Sequence, residues 1–185
     1  MSGVGGVRVR PVGGDEIDLL AELTVTAYLA LTGGLDDDYR AELSDVAGRV
    51  AGAEVLVAVG GDGALLGGVT YLEGPTPHSP ILRPGEAGIR TLAVAPGAQG
   101  RGVGTALVAT CVDRAVERGS ARVCLQTTDL MAAAQRIYRR AGFRPAPERD
   151  EWLRPDLLLV AFVLDLPAVA SEGRPGGEIG KTRGA

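Results

Sequence analysis

The sequence predicts an α/β (α+β) fold, a mixed sheet carrying helices on its faces. Apolar residues recur at helical spacing in some windows and alternate or run uninterrupted in shorter ones. Many of the 28 glycines fall between those windows as turn signals. The resulting order is strand, two helices, a meander of strands, a helix, a strand, a helix and final strands.

Residues 1–6 read as a flexible N-terminus, and Val7, Val9 and Pro11 alternate with Arg8 and Arg10 in a first strand. Ile17, Leu20, Leu23 and Ala27 repeat at helical spacing from Glu16 to Leu31, and Gly33–Gly34 ends the run. A second helix starts after Asp36–Asp38 and runs through Tyr39, Leu43, Val46 and Val50; the three aspartates cap it, with an acidic lip for a cationic substrate as the alternative. Strands Glu54–Val59 and Leu65–Leu72 flank Gly60–Gly63, a hairpin signal. Proline and glycine make 73–86 a long loop, with the single histidine, His78, inside it.

The strand Ala87–Val94 leads through Ala95–Gly100 into a helix from Arg101 to Arg118. Val108, Cys111, Val112, Ala115 and Val116 form its apolar stripe, and Gly119 stops it. A strand at Ala121–Thr127, a helix near Met131–Ala141 and a buried strand at Leu157–Leu164 complete the pattern. One domain therefore covers 7–166, and 167–185 reads as a flexible C-terminal tail without periodicity.

Composition narrows the function. A net charge of −4 disfavours a general nucleic-acid binder. Only Lys181, in the tail, is a lysine, which excludes Schiff-base chemistry and a Walker-type phosphate lysine within the domain. Cys111, Cys124 and His78 cannot assemble a usual zinc site, so no metal is expected. The longest apolar run, Leu157–Leu164, is too short to span a membrane, and no apolar signal core opens the chain. The chain reads as soluble and cytoplasmic, with both cysteines as buried thiols.

The segment Gln99-Gly100-Arg101-Gly102-Val103-Gly104-Thr105 joins a strong strand to a strong amphipathic helix. Glycines let backbone approach a ligand, and the first-turn N–H groups lack internal partners. With the helix dipole they form an anion site suited to a pyrophosphate. A dinucleotide fingerprint fails, because its third glycine would fall on Thr105 or Leu107.

This segment resembles the Q/R-x-x-G-x-G/A cofactor motif of the GNAT superfamily of acyl-CoA-dependent N-acetyltransferases. Leu92-Ala93-Val94 with Pro96 is similar to that family's L-x-V-x-P strand end. Ala134 through Tyr138 to Gly142-Phe143 resembles its A-x-x-x-Y-x-x-x-G-F signature. The resemblance implies a mostly antiparallel central sheet of about six to seven strands with helices on both faces. It also implies acetyl-CoA as co-substrate and direct attack by a primary amine, on a small molecule or a peptide, in a ternary complex. Backbone of Leu92, Ala93 and Val94 would line the pantetheine, and the loop from Gln99 through Thr105 would hold the pyrophosphate. An N–H near Leu92 would polarise the thioester, and Tyr138 would protonate the leaving thiolate.

Two positions depart from the family pattern. Met131 stands where an asparagine is frequent, and Gly88 stands where an acidic residue often supplies the base. Glu86 is the nearest substitute, two residues along the same strand face, reaching the amine through one water in the space Gly88 leaves. A non-catalytic acyl-CoA-binding or regulatory module is the alternative of another class, and a homodimer remains open. The acceptor and the length of the acyl group are not legible.

Overall fold

A computed structural model describes residues 6–76 and 79–167. The expectations for 1–5, for His78 and for the tail at 168–185 fall outside these residues. Among the described residues, eight strands form one sheet: β1 (Arg8–Pro11), β2 (Glu54–Val59), β3 (Leu65–Glu73), β4 (Glu86–Val94), β5 (Arg122–Thr128), β6 (Arg144–Pro145), β7 (Glu151–Arg154) and β8 (Leu157–Asp165). The order is β1-β2-β3-β4-β5-β8-β6, with β7 also on β8. Every pairing is antiparallel except β4 with β5, which the helix between them makes parallel.

Five α-helices cover the two faces: α1 (Ile17–Thr32), α2 (Asp37–Ser44), α3 (Val46–Gly52), α4 (Val103–Glu117) and α5 (Ala132–Arg140). Strand alternation separates two cores. Leu56, Tyr71, Ile89, Leu125 and Phe162 pack under α4 and α5, with Leu107, Cys111 and Tyr138. Val55 and Val57 pack on the other face against Leu20 of α1 and Val46 of α3.

The expected second helix is two helices. Asp45 leaves helical geometry at ψ 64° and accepts the Gly48 N–H at 2.8 Å, capping α3 while α2 ends. Asp36 caps α2 by accepting the Tyr39 N–H at 2.8 Å. The short strands β6 and β7 pair with β8 but carry no clear period of their own.

The strand β4 begins at Glu86, so Glu86 is a sheet residue rather than a loop end. Parallel pairing with β5 runs from Glu86–Arg122 to Ile89–Leu125 and stops there, although β5 continues beside β8 to Thr128–Leu159. Beyond Ile89, β4 and β5 separate. That separation places the candidate site.

Candidate active site in the gap between two strands

A backbone irregularity in β4 lies at the mouth of the gap. On β3, Thr70 pairs with Arg90 and Gly68 with Ala93, so Thr91 and Leu92 together oppose Val69. This is a β-bulge. Thr91 adopts φ 51°, which is rare for any side-chain residue and most strained for a β-branched one. Past the bulge, the Ala95 N–H bonds Leu66 on β3, and strand alternation therefore turns the polar backbone groups of Leu92 and Val94 into the gap. Ala93 packs its side chain oppositely, against Ala27, Tyr28 and Leu43.

At the open end, Gln99, Gly100, Arg101 and Gly102 are exposed and lead into α4. Gly100 and Gly102 have φ 74° and 81°, left-handed backbone that glycine adopts without penalty, and Gly102 is the N-cap of α4. No side chain caps that end, so the N–H groups of Val103, Gly104 and Thr105 have no helical acceptor. They form a set of N–H donors at the positive end of the helix dipole. Gly104 has a packing role as well: a Cβ there would lie 2.8 Å from Ile137 Cδ1, so its absence lets α5 close on α4.

Tyr138 projects from α5 into the core beneath this face. Its ring lies 5.9 Å from that of Phe143 and 6.2 Å from that of Phe162. Burial, with a smaller contribution from Cys111, pushes its phenol well above the ordinary value. Tyr138 therefore stays a neutral phenol at neutral pH.

Glu86 does not fit the role expected of it. It is buried, and both its oxygens are taken by Arg149, at 2.7 Å to Nη1 and 2.8 Å to Nη2. The Arg83 N–H donates at 2.9 Å, Arg122 Nη1 lies at 3.3 Å and Cys124 Sγ at 3.4 Å. Burial raises its pKa, but the Arg149, Arg83 and Cys124 hydrogen bonds outweigh that and hold it at about 2. The space expected beside Gly88 is filled, since a Cβ there would meet Leu82 Cδ1 at 2.7 Å. Leu82 leaves no room for the bridging water. A carboxylate this acidic, with its lone pairs engaged, is a structural ion and not a base.

The α1–α2 side of the sheet carries contacts that the sequence does not announce. Arg90, the last regular residue of β4 before the bulge, pairs with Glu42 of α2 at 2.6 Å. Asp36, between α1 and α2, pairs with Arg154 of β7 at 3.2 Å. Tyr28 and Tyr39 meet edge to face with centroids 6.0 Å apart. These contacts join segments far apart in the chain, and no local period announces them. Among the described residues no cluster of metal-ligating side chains occurs, and no helix is long and apolar enough to cross a membrane. Cys111 and Cys124 are buried free thiols.

The sequence model of the acetyltransferase (GNAT) family matches residues 19–143. Streptothricin acetyltransferase of Streptomyces lavendulae is 36% identical over 113 residues, covering 60% of this chain and 52% of that protein. Mycothiol acetyltransferase of Beutenbergia cavernae is 35% identical over 149 residues, covering 76% of this chain and 46% of that one. The chain thus spans about half the length of these curated relatives. The PaiA N-acetyltransferase from Thermoplasma acidophilum, solved in complex with coenzyme A, superposes with a TM-score of 0.63 at 12% identity, covering 84% of this chain and 97% of that one. That likeness is one of fold.

Proposed function

This chain belongs to the GNAT acetyltransferase family, and from that premise we propose that it moves an acetyl group from acetyl-CoA to a primary amine by direct attack in a ternary complex. The single observation that carries the reading is the β4–β5 gap, with the Leu92 and Val94 backbone turned into it and the uncapped end of α4 at its mouth. The residues fit the cofactor in kind. Exposed strand backbone suits pantetheine amides by strand addition, and the N–H groups of Arg101 through Thr105 suit a pyrophosphate. Acetyl-CoA supplies the activated acyl group.

The chain's own residues divide the chemistry. The N–H nearest Leu92 donates to the thioester oxygen, where negative charge develops during attack. The Tyr138 hydroxyl gives its proton to the departing sulfur. The amine must reach the gap from the face bearing α1 and α2, opposite the core that holds Tyr138. With Glu86 engaged by Arg149, the ammonium loses its proton to water or to a group of the N-terminal half. The unit that acts is 7–166, a cytoplasmic enzyme in this reading, in keeping with its buried free thiols.

One observation favours the non-catalytic acyl-CoA-binding alternative: neither Gly88 nor Glu86 offers a base. Release of free thiol from acetyl-CoA, measured over a panel of primary amines that includes streptothricin, separates the two. The enzyme reading expects amine-dependent release, and expects Tyr138→Phe to lower kcat about 100-fold with acetyl-CoA affinity nearly unchanged. Binding without amine-dependent release across the panel would favour the non-catalytic module. Equal kcat in the Tyr138 variant would reduce that residue to packing.

A further inference from the structure

The stretch of β5 beyond its pairing with β4 holds a polar group that the fold leaves unsatisfied. Thr127 is 5% exposed, and its hydroxyl is buried without a hydrogen-bond partner. A buried hydroxyl without a partner is costly, and strand threonines are easily replaced by valine of the same shape. Thr24, buried on α1, instead donates to the Leu20 carbonyl at 2.7 Å, and Thr76 Oγ1, in the loop after β3, is the other threonine hydroxyl buried without a partner among the described residues.

The register locates Thr127 with respect to the gap. Leu125 is the last β5 residue paired with β4, and Thr127 lies two residues beyond it on the same face, about 7 Å further along. On the other side of β5, Thr127 pairs with Val160 of β8, which packs in the core that contains Tyr138. Two to three residues beyond Ile89 on β4 come Thr91 and Leu92, the bulge itself. Thr127 and the bulge therefore stand at the same level on the two strands that part, with the Thr127 side chain on the sheet face that holds Tyr138.

We infer that the Thr127 hydroxyl is a cofactor-binding group, hydrogen-bonded to the thioester end of an acyl-CoA lying in the gap, across from the N–H of the bulge. The inference rests on the acetyl-CoA reading above and adds a second wall to it. The hydroxyl is unsatisfied in the free protein because its partner arrives with the ligand. Valine at 127 relieves the free protein and leaves the ligand one hydrogen bond short. Serine keeps the hydroxyl.

The test combines titration calorimetry with acetyl-CoA and thermal melts of the ligand-free protein, for the parent, Thr127→Val and Thr127→Ser. Thr127→Val is expected to melt about 2–4 °C higher than the parent when free and to bind acetyl-CoA about tenfold more weakly. Thr127→Ser is expected to bind within about twofold of the parent. Unchanged acetyl-CoA affinity in a folded Thr127→Val would overturn the inference. So would a Thr127→Val that melts lower or fails to fold, because the hydroxyl would then be bonded within the protein. A parent that binds no acetyl-CoA would instead sink the acetyl-CoA reading, and this inference with it.

Discussion

Glu86 and Arg149 are both buried, and their pairing is worth most when judged by what its loss leaves behind. Glu86→Gln removes the charge that neutralises Arg149, and breaking one side of a buried pair typically costs about 3–5 kcal/mol. The carboxyl pKa is about 2 in the folded chain against about 4.3 for an unfolded glutamate. The folded value is the lower one, so the pair's stabilisation is fully present above about pH 4.3 and is lost as pH falls towards 2. Urea unfolding at pH 7 should therefore show Glu86→Gln less stable by about 3 kcal/mol, with the difference shrinking below pH 4. A pH–rate profile of the variant that superimposes on the parent's is expected too. A shifted low-pH limb would return Glu86 to the proton path.

For the elements, the contact between α4 and α5 depends on a missing side chain. Gly104 sits in the first turn of α4, 2.8 Å from Ile137 Cδ1 once a Cβ is added, and 3.6 Å from Val94 Cγ2. Ile137 is one residue before Tyr138, so a displaced α5 carries the candidate acid with it. Gly104→Val should cost about 1–3 kcal/mol through overpacking. Ile137→Ala in the same chain should recover at least about 1 kcal/mol of that cost, a coupling read from a double-mutant cycle. Strict additivity would show that Gly104 and Ile137 share no packing constraint. The neighbouring glycines differ in kind, because Gly100 and Gly102 have open space around them and are required for backbone angle.

Considered as a whole, the molecule is one sheet in which β4 and β5 are joined as far as Ile89–Leu125 and parted beyond it, with the proposed ligand groups on the two parted strands. A ligand bridging β4, α4 and β5 binds only the folded state. At 100 times its Kd, acetyl-CoA should stabilise the chain by about 2.7 kcal/mol, or about 5–10 °C in Tm for a chain of this size. NADH at equal concentration should leave Tm unchanged. Equal stabilisation by NADH would favour the nucleotide reading that the missing third glycine disfavours.

Several features were legible because they are local. The strands from β2 to β5, the helices α1, α4 and α5, and the glycine turn before α4 follow from side-chain period and from backbone angles that glycine adopts without strain. The Asp36 cap was legible for the same reason, since a side-chain oxygen bonds an N–H three residues away. Other features depended on residues distant in the chain. Glu86 reads in the sequence as a substitute base, whereas in the fold Arg149, 63 residues on, takes both its oxygens. Gly88 seemed to leave a space until Leu82 folded over it. The bulge at Thr91, the end of β4–β5 pairing and the unsatisfied Thr127 hydroxyl exist only once the strands are in register. Sequence by itself determined most of the elements and the glycine turn before α4, because their energies are set within a few residues, whereas the break between α2 and α3 and the short strands β6 and β7 were not read from it. Tertiary structure alone decided which charges are neutralised, which spaces are filled and where the sheet parts, because those energies belong to pairs that meet only on folding.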